Sequence, residues 1–83
     1  MKLYNVVAIK NGDEFSEYLG GKIEDAISNS VKAWNQLSDF DKKHQTIECR
    51  EFTVSDDVDT TDESAMFDAI CEAGDYDLVS INY

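Results

Sequence analysis

One histidine, two cysteines and a surplus of carboxylates are the groups through which this chain could do chemistry. His44 lies in a Lys42-Lys43-His44-Gln45 run, with no acid–base partner at a suggestive spacing. A cysteine–histidine nucleophile would need His44 to meet Cys49 or Cys71, and no third group is present to orient the imidazole. Cys49 falls on an expected strand and Cys71 on an expected helix, each in an apolar pattern and neither in a CxxC pair. Two buried, reduced thiols are therefore expected. No GxSxG, HExxH, P-loop or GxGxxG pattern occurs. Carboxylates are so numerous that a pair at glycosidase spacing carries no information. The chain is expected not to be an enzyme, with no catalytic residue and no cofactor.

Calcium is the other use for clustered acids. Counted from Asp57, an EF-hand-like loop would draw on Asp57, Asp59, Thr61, Glu63 and Asp68. The pattern fails where it matters, because Asp62 stands where the sharp turn needs glycine. Asp68 is also shorter than the bidentate glutamate that closes such loops. No metal site is expected.

The informative feature is where the charge sits. Net charge is −11. Residues 1–50 carry eight acids nearly cancelled by seven bases, whereas residues 51–83 carry ten acids and no base. Duplex DNA carries one charge per roughly 1.7 Å of axis, so ten charges match about 17 Å of duplex. Ten acids on one side of a body about 30 Å across approach that density. Their mutual repulsion opposes folding, with no lysine or arginine in the segment to relieve it. The candidate binding surface is Asp56, Asp57, Asp59, Asp62, Glu63, Asp68 and Glu72. Its expected partner is a basic protein, one whose own ligand is nucleic acid, approached faster at low salt. Direct binding to DNA, RNA or anionic membranes is disfavoured by the charge, and Lys42 with Lys43 are too few to reverse that. Reversing Asp68 and Glu72 to lysine together should keep the fold and weaken binding.

These acids must be positioned by a small set of elements. Leu3 to Ile9 reads as a strand, Asn11-Gly12 as a two-residue hairpin turn, and Glu14 to Leu19 as the return strand. That loop pairs Ala8 with Phe15, Val6 with Glu17 and Tyr4 with Leu19. Leu3, Val7, Ile9, Ser16 and Tyr18 then share the opposite face. After Gly20-Gly21, the residues Ile23, Ala26, Ile27, Ser30, Val31, Trp34 and Leu37 follow a helical stripe, with Trp34 as core. Ser38 to His44 reads as a loop or a last frayed turn. Gln45 to Val54 is a second strand region whose alternation changes phase between Cys49 and Phe52. Either a bulge near Arg50 and Glu51 or a strand covered on both faces explains that change. Thr60-Thr61-Asp62-Glu63 matches a capping box, opening a helix that carries Met66, Phe67, Ile70 and Ala73 and stops at Gly74. Tyr76 to Tyr83 alternates as a last strand. The expected fold is α+β in ββαβαβ order, a four-stranded mixed sheet with two helices packed on one face.

Residues 1–83 are expected to form a single acidic domain. Hydrophobic residues at 42% allow a core despite the acidity. The longest apolar run, Val6 to Ile9, cannot span a bilayer. The N-terminal residues lack a signal peptide's pattern, and a cytoplasmic location is expected.

In size, acidity and lack of catalytic motif the chain resembles small phage and mobile-element proteins, among them anti-CRISPR proteins and other DNA-mimic inhibitors. That resemblance implies a stoichiometric inhibitor of a bacterial nucleic-acid-handling complex. The competing expectation is a structural or assembly module that forms a homodimer through an edge strand such as Ser80-Ile81-Asn82-Tyr83. Tyr4, Tyr18, Tyr76 or Tyr83 would then anchor the interface, and the acidic face would serve solubility only.

Overall fold

A computed structural model describes every residue from Met1 to Tyr83. The elements run β1 (Lys2–Lys10), β2 (Asp13–Gly20), α1 (Ile23–Asn35), α2 (Asp39–His44), β3 (Gln45–Thr53), α3 (Glu63–Ala73) and β4 (Asp77–Leu78). The sheet order is β2-β1-β3-β4, and every neighbouring pair is antiparallel. The expected ββαβαβ mixed sheet is thus corrected on two counts. There is an extra helix, α2, and there is no parallel pair. β2 and β3, which the α1–α2 crossover joins, do run the same way, but β1 lies between them.

The helices are not on one face either. Successive strand residues point to opposite sides of a sheet. Tyr4, Val6 and Ala8 of β1 join Ile47 and Cys49 of β3 in a core closed by Ala26 of α1. Leu3 joins Phe52 in a second core closed by Met66 and Ile70 of α3. α1 therefore covers one face and α3 the other. Leu3 and Val6 both have no exposed surface, although they point in opposite directions. This also resolves the phase change in β3. Its register with β1 is unbroken from Lys2↔Thr53 to Lys10↔Gln45, so no bulge exists near Arg50. Ile47 and Cys49 serve the α1 face, and Phe52 serves the α3 face.

The bulge lies in the hairpin instead. Asn11 (φ 52°) and Gly12 (φ 85°) both take the positive φ that a type I′ turn needs. Ala8 faces Phe15 as the short loop requires. Between Val6 and Val7 the register shifts, so that Val6 faces Tyr18 and Glu17 is the extra residue. The buried Asn5 amide holds this bulge by donating to the Ser16 hydroxyl and the Tyr18 carbonyl, each at 2.8 Å. Tyr18 is thereby moved to the α1 face, away from the Leu3 and Val7 side expected for it.

α2 forms where a loop or a last frayed turn of α1 was expected. The Ser38 hydroxyl accepts the Asp41 N–H at 3.1 Å. Asp39 and Asp41 in its first turn, and Lys42, Lys43 and His44 in its last, oppose the helix dipole favourably. At the C-terminus only Asp77 and Leu78 pair as a strand, and the Val79 N–H then donates to the Cys49 carbonyl at 2.9 Å. Val79 and Ile81 turn onto the α1 core, and Tyr83 stacks on Trp34 with ring centroids 5.0 Å apart. Residues 80–83 are not a free edge strand, and Tyr4 is buried, which removes the expected C-terminal dimer edge and one of its anchors.

Arg50 ties the sheet together on the α3 face. Its guanidinium makes two 3.0 Å bonds to the Glu14 carboxylate, Nε donates to Glu48 at 2.9 Å, and the Tyr76 ring lies 4.6 Å away. This pairing holds the Glu14 carboxyl below its ordinary value of 4.5. A folded value below the unfolded one adds stability above the unfolded value, and that stability is lost as pH falls through the folded one. Glu14→Gln should therefore melt below the wild type at about pH 7 and converge with it near about pH 2. Paired thermal melts across that range check this, because general acid effects cancel in the difference.

Candidate functional site

The seven candidate acids are all exposed, and they fall into two groups by what their oxygens do. Asp56 accepts the Met1 ammonium at 2.6 Å, which holds its carboxyl below the usual carboxylate range. Asp59 accepts the Thr61 hydroxyl at 2.6 Å and the Thr61 N–H at 2.9 Å, and is lowered by them. Asp62 caps α3, accepting the N–H groups of Ser64 and Ala65 at 3.0 and 3.3 Å. That corrects the expected cap at Thr60. These three carboxylates therefore shape the loop that leads into the helix.

The others are free to face outward. Asp57 accepts only the nearby Ser55 hydroxyl. Glu63, Asp68 and Glu72 have no hydrogen-bonding or ion-pair partner. Asp57 from the loop and Asp68 and Glu72 from α3 line one open groove of about 550 Å³. Its apolar floor is Val54, Val58, Ala65, Ala69 and Ala73. The alanines recur every four residues, so they stack along one side of α3, and their short side chains leave the space. Asp56, Asp59, Asp62 and Glu63 do not line the groove. The floor residues were missed in the sequence, although the Ala65–Ala69–Ala73 spacing was a usable signal.

Compared with protein families, curated proteins and solved structures, the chain matches none. The site is therefore characterised by its own chemistry. Among the ten acids of residues 51–83, Glu51 pairs with Lys2 and Asp56 with the N-terminal ammonium. The remaining eight have no cationic partner within salt-bridge distance. The chain's most buried cation, Arg50, is committed to Glu14 and Glu48. This end of the molecule thus projects unneutralised negative charge beside an apolar floor.

The other candidate chemistry is dispersed. No three histidine, cysteine or acidic side chains gather as metal ligands. Asp57 and Asp68 share the groove, while Asp59 is held by Thr61 and Glu63 begins α3. Cys49 and Cys71 are not bonded to each other. Cys49 is buried, and burial pushes its thiol up. Cys71 is exposed, against the expectation of two buried thiols. His44 packs against Phe40 with ring centroids 4.3 Å apart. No helix is long and apolar enough to cross a membrane.

Unrelieved repulsion has a measurable consequence. The Debye length falls from about 30 Å at 0.01 M salt to about 10 Å at 0.1 M, so screening acts across the whole acidic face. The melting temperature should rise over that interval. A fall on adding salt would mean that attractive pairs outweigh the repulsion.

Proposed function

We propose that the chain is a non-enzymatic acidic binding domain that occupies the basic groove of a nucleic-acid-binding protein and so excludes nucleic acid from it. The observation that carries this reading is the set of eight carboxylates in residues 51–83 without a cationic partner, concentrated on α3 and its flanking segments. Such a surface is costly to keep, because like charges oppose folding, and a basic partner would turn that repulsion into attraction. Carboxylates spaced along a helix and the loop before it can meet lysines and arginines that otherwise track phosphates. A stoichiometric inhibitor acting in a reducing cytoplasm, where an exposed thiol such as Cys71 stays free, is the setting this implies.

The test is capture from a bacterial lysate on the immobilised domain at about 0.05 M and about 0.2 M salt, followed by elution with duplex DNA. Supporting the proposal requires a nucleic-acid-binding protein retained at the lower salt, lost at the higher, and released by the duplex. A retained protein that duplex DNA does not release counts against it.

The α3 face is favoured over self-association for a specific reason. In the expected dimer edge, Ile81 packs on the α1 core and Tyr83 stacks on Trp34.

A further inference from the structure

We propose that the groove between α3 and the Val54–Val58 segment is the seat of an arginine side chain from the basic partner, an inference that rests on the function proposed above. Charge attraction alone would need no apolar surface, yet Val54, Val58 and Ala69 line the same groove as Asp57, Asp68 and Glu72. A purely apolar occupant would be opposed by three carboxylates at the rim. A bound cation would need converging oxygens, and no such cluster forms. Arginine combines the two required halves: a methylene stem that packs on apolar surface, and a planar, weakly hydrated cation with five donors to share among several carboxylates. Lysine offers a compact, strongly hydrated charge that gains less from leaving water.

The domain already treats a guanidinium in this way. Arg50 lies between two carboxylates, Glu14 and Glu48, with the Tyr76 ring against it. The groove repeats that combination of several acids and an apolar surface, with no cation of this chain in place. The groove, about 550 Å³ and open to solvent, has room for an arginine side chain.

The probe is a pair of short capped peptides, leucine–arginine–leucine and leucine–lysine–leucine, titrated into the isotope-labelled domain and followed by amide shifts. The arginine peptide should bind about fivefold tighter, the scale of one net hydrogen bond, since both peptides carry the same charge. Shifts should centre on Val54, Val58 and Ala69. Ala69→Leu fills the groove while keeping every charge, and it should erase the arginine preference. Because Ala69 is partly buried, the exposed pair Asp68→Asn with Glu72→Gln serves as a second variant that leaves packing alone and should also erase it. Equal affinity for both peptides, shifts spread evenly over the acids, or Ala69→Leu binding like the wild type would each overturn the arginine seat. A partner still captured and released by DNA in those cases leaves the proposed function standing. Arginine-selective shifts without any DNA-releasable partner sink that function and leave the seat.

Discussion

Replacing Asp57, Asp68 and Glu72 together by lysine should abolish partner binding while raising the melting temperature. All three are exposed, and none caps a helix or pairs with a cation, so reversing them takes no cap or ion pair from the fold. Each exposed charge contact contributes up to about 1 kcal/mol. Reversal both removes it and adds a repulsion, so three reversals should weaken affinity by about a hundredfold or more. In the unbound domain the same change gives the acidic end its first lysines and relieves its self-repulsion. Lost binding with gained stability cannot be attributed to unfolding. Calorimetric melts beside binding titrations check both halves. Retained affinity removes the groove rim from the interface, and a lowered melting temperature shows that these carboxylates hold the fold in a way the structure does not display.

Leu3→Ala and Val6→Ala should both destabilise severely, although the two side chains point to opposite faces of β1. Each has no exposed surface. Truncating a fully buried leucine costs about 2–5 kcal/mol through lost burial and the cavity left behind. Against a total stability of about 4–12 kcal/mol for a chain of this length, that is a large fraction. Leu3→Ala should loosen α3 and raise amide exchange first in Met66 to Ala73. Val6→Ala should loosen α1 and the Val79–Tyr83 tail that packs with it. Denaturant titration with site-resolved exchange separates the two. If either variant is mild, one face of the sheet is not a core, and the two-faced architecture is wrong.

The parts of this architecture that local chemistry dictates were legible in the sequence. Asn11-Gly12 announced the turn, and Ala8 opposite Phe15 followed from it. The α1 stripe and the Gly74 stop were readable for the same reason, since neither needs knowledge of distant residues. What failed depended on contacts between segments. The Glu17 bulge exists because the Asn5 amide reaches across the hairpin to Ser16 and Tyr18, a choice that periodicity does not encode. The phase change between Cys49 and Phe52 was read correctly as an anomaly. It fits one bulged face or two covered faces equally well until the position of α3 is known. The mixed sheet failed because a helix between strands suggests a parallel return, whereas α3 joins the adjacent antiparallel strands β3 and β4. α2 was missed because a single short helix lacks an apolar stripe, though Ser38 followed by acids and then bases was a fair cap signal.

For the site, the acidic segment was visible in composition alone. Its division was not. Asp56, Asp59 and Asp62 hold local structure, and the bonds that show this run to Met1, Thr61 and the backbone of α3. The groove itself needed Val54 and Val58 to be brought against Ala69 by the fold.

The most direct measurement is fluorescence anisotropy of a labelled duplex bound to the captured partner, titrated with the domain at low salt. Displacement of the duplex at one domain per partner molecule, with the Asp57, Asp68 and Glu72 triple lysine variant failing to displace, is the expected result. A stable ternary complex of duplex, partner and domain, or displacement that the triple variant performs equally well, would contradict it.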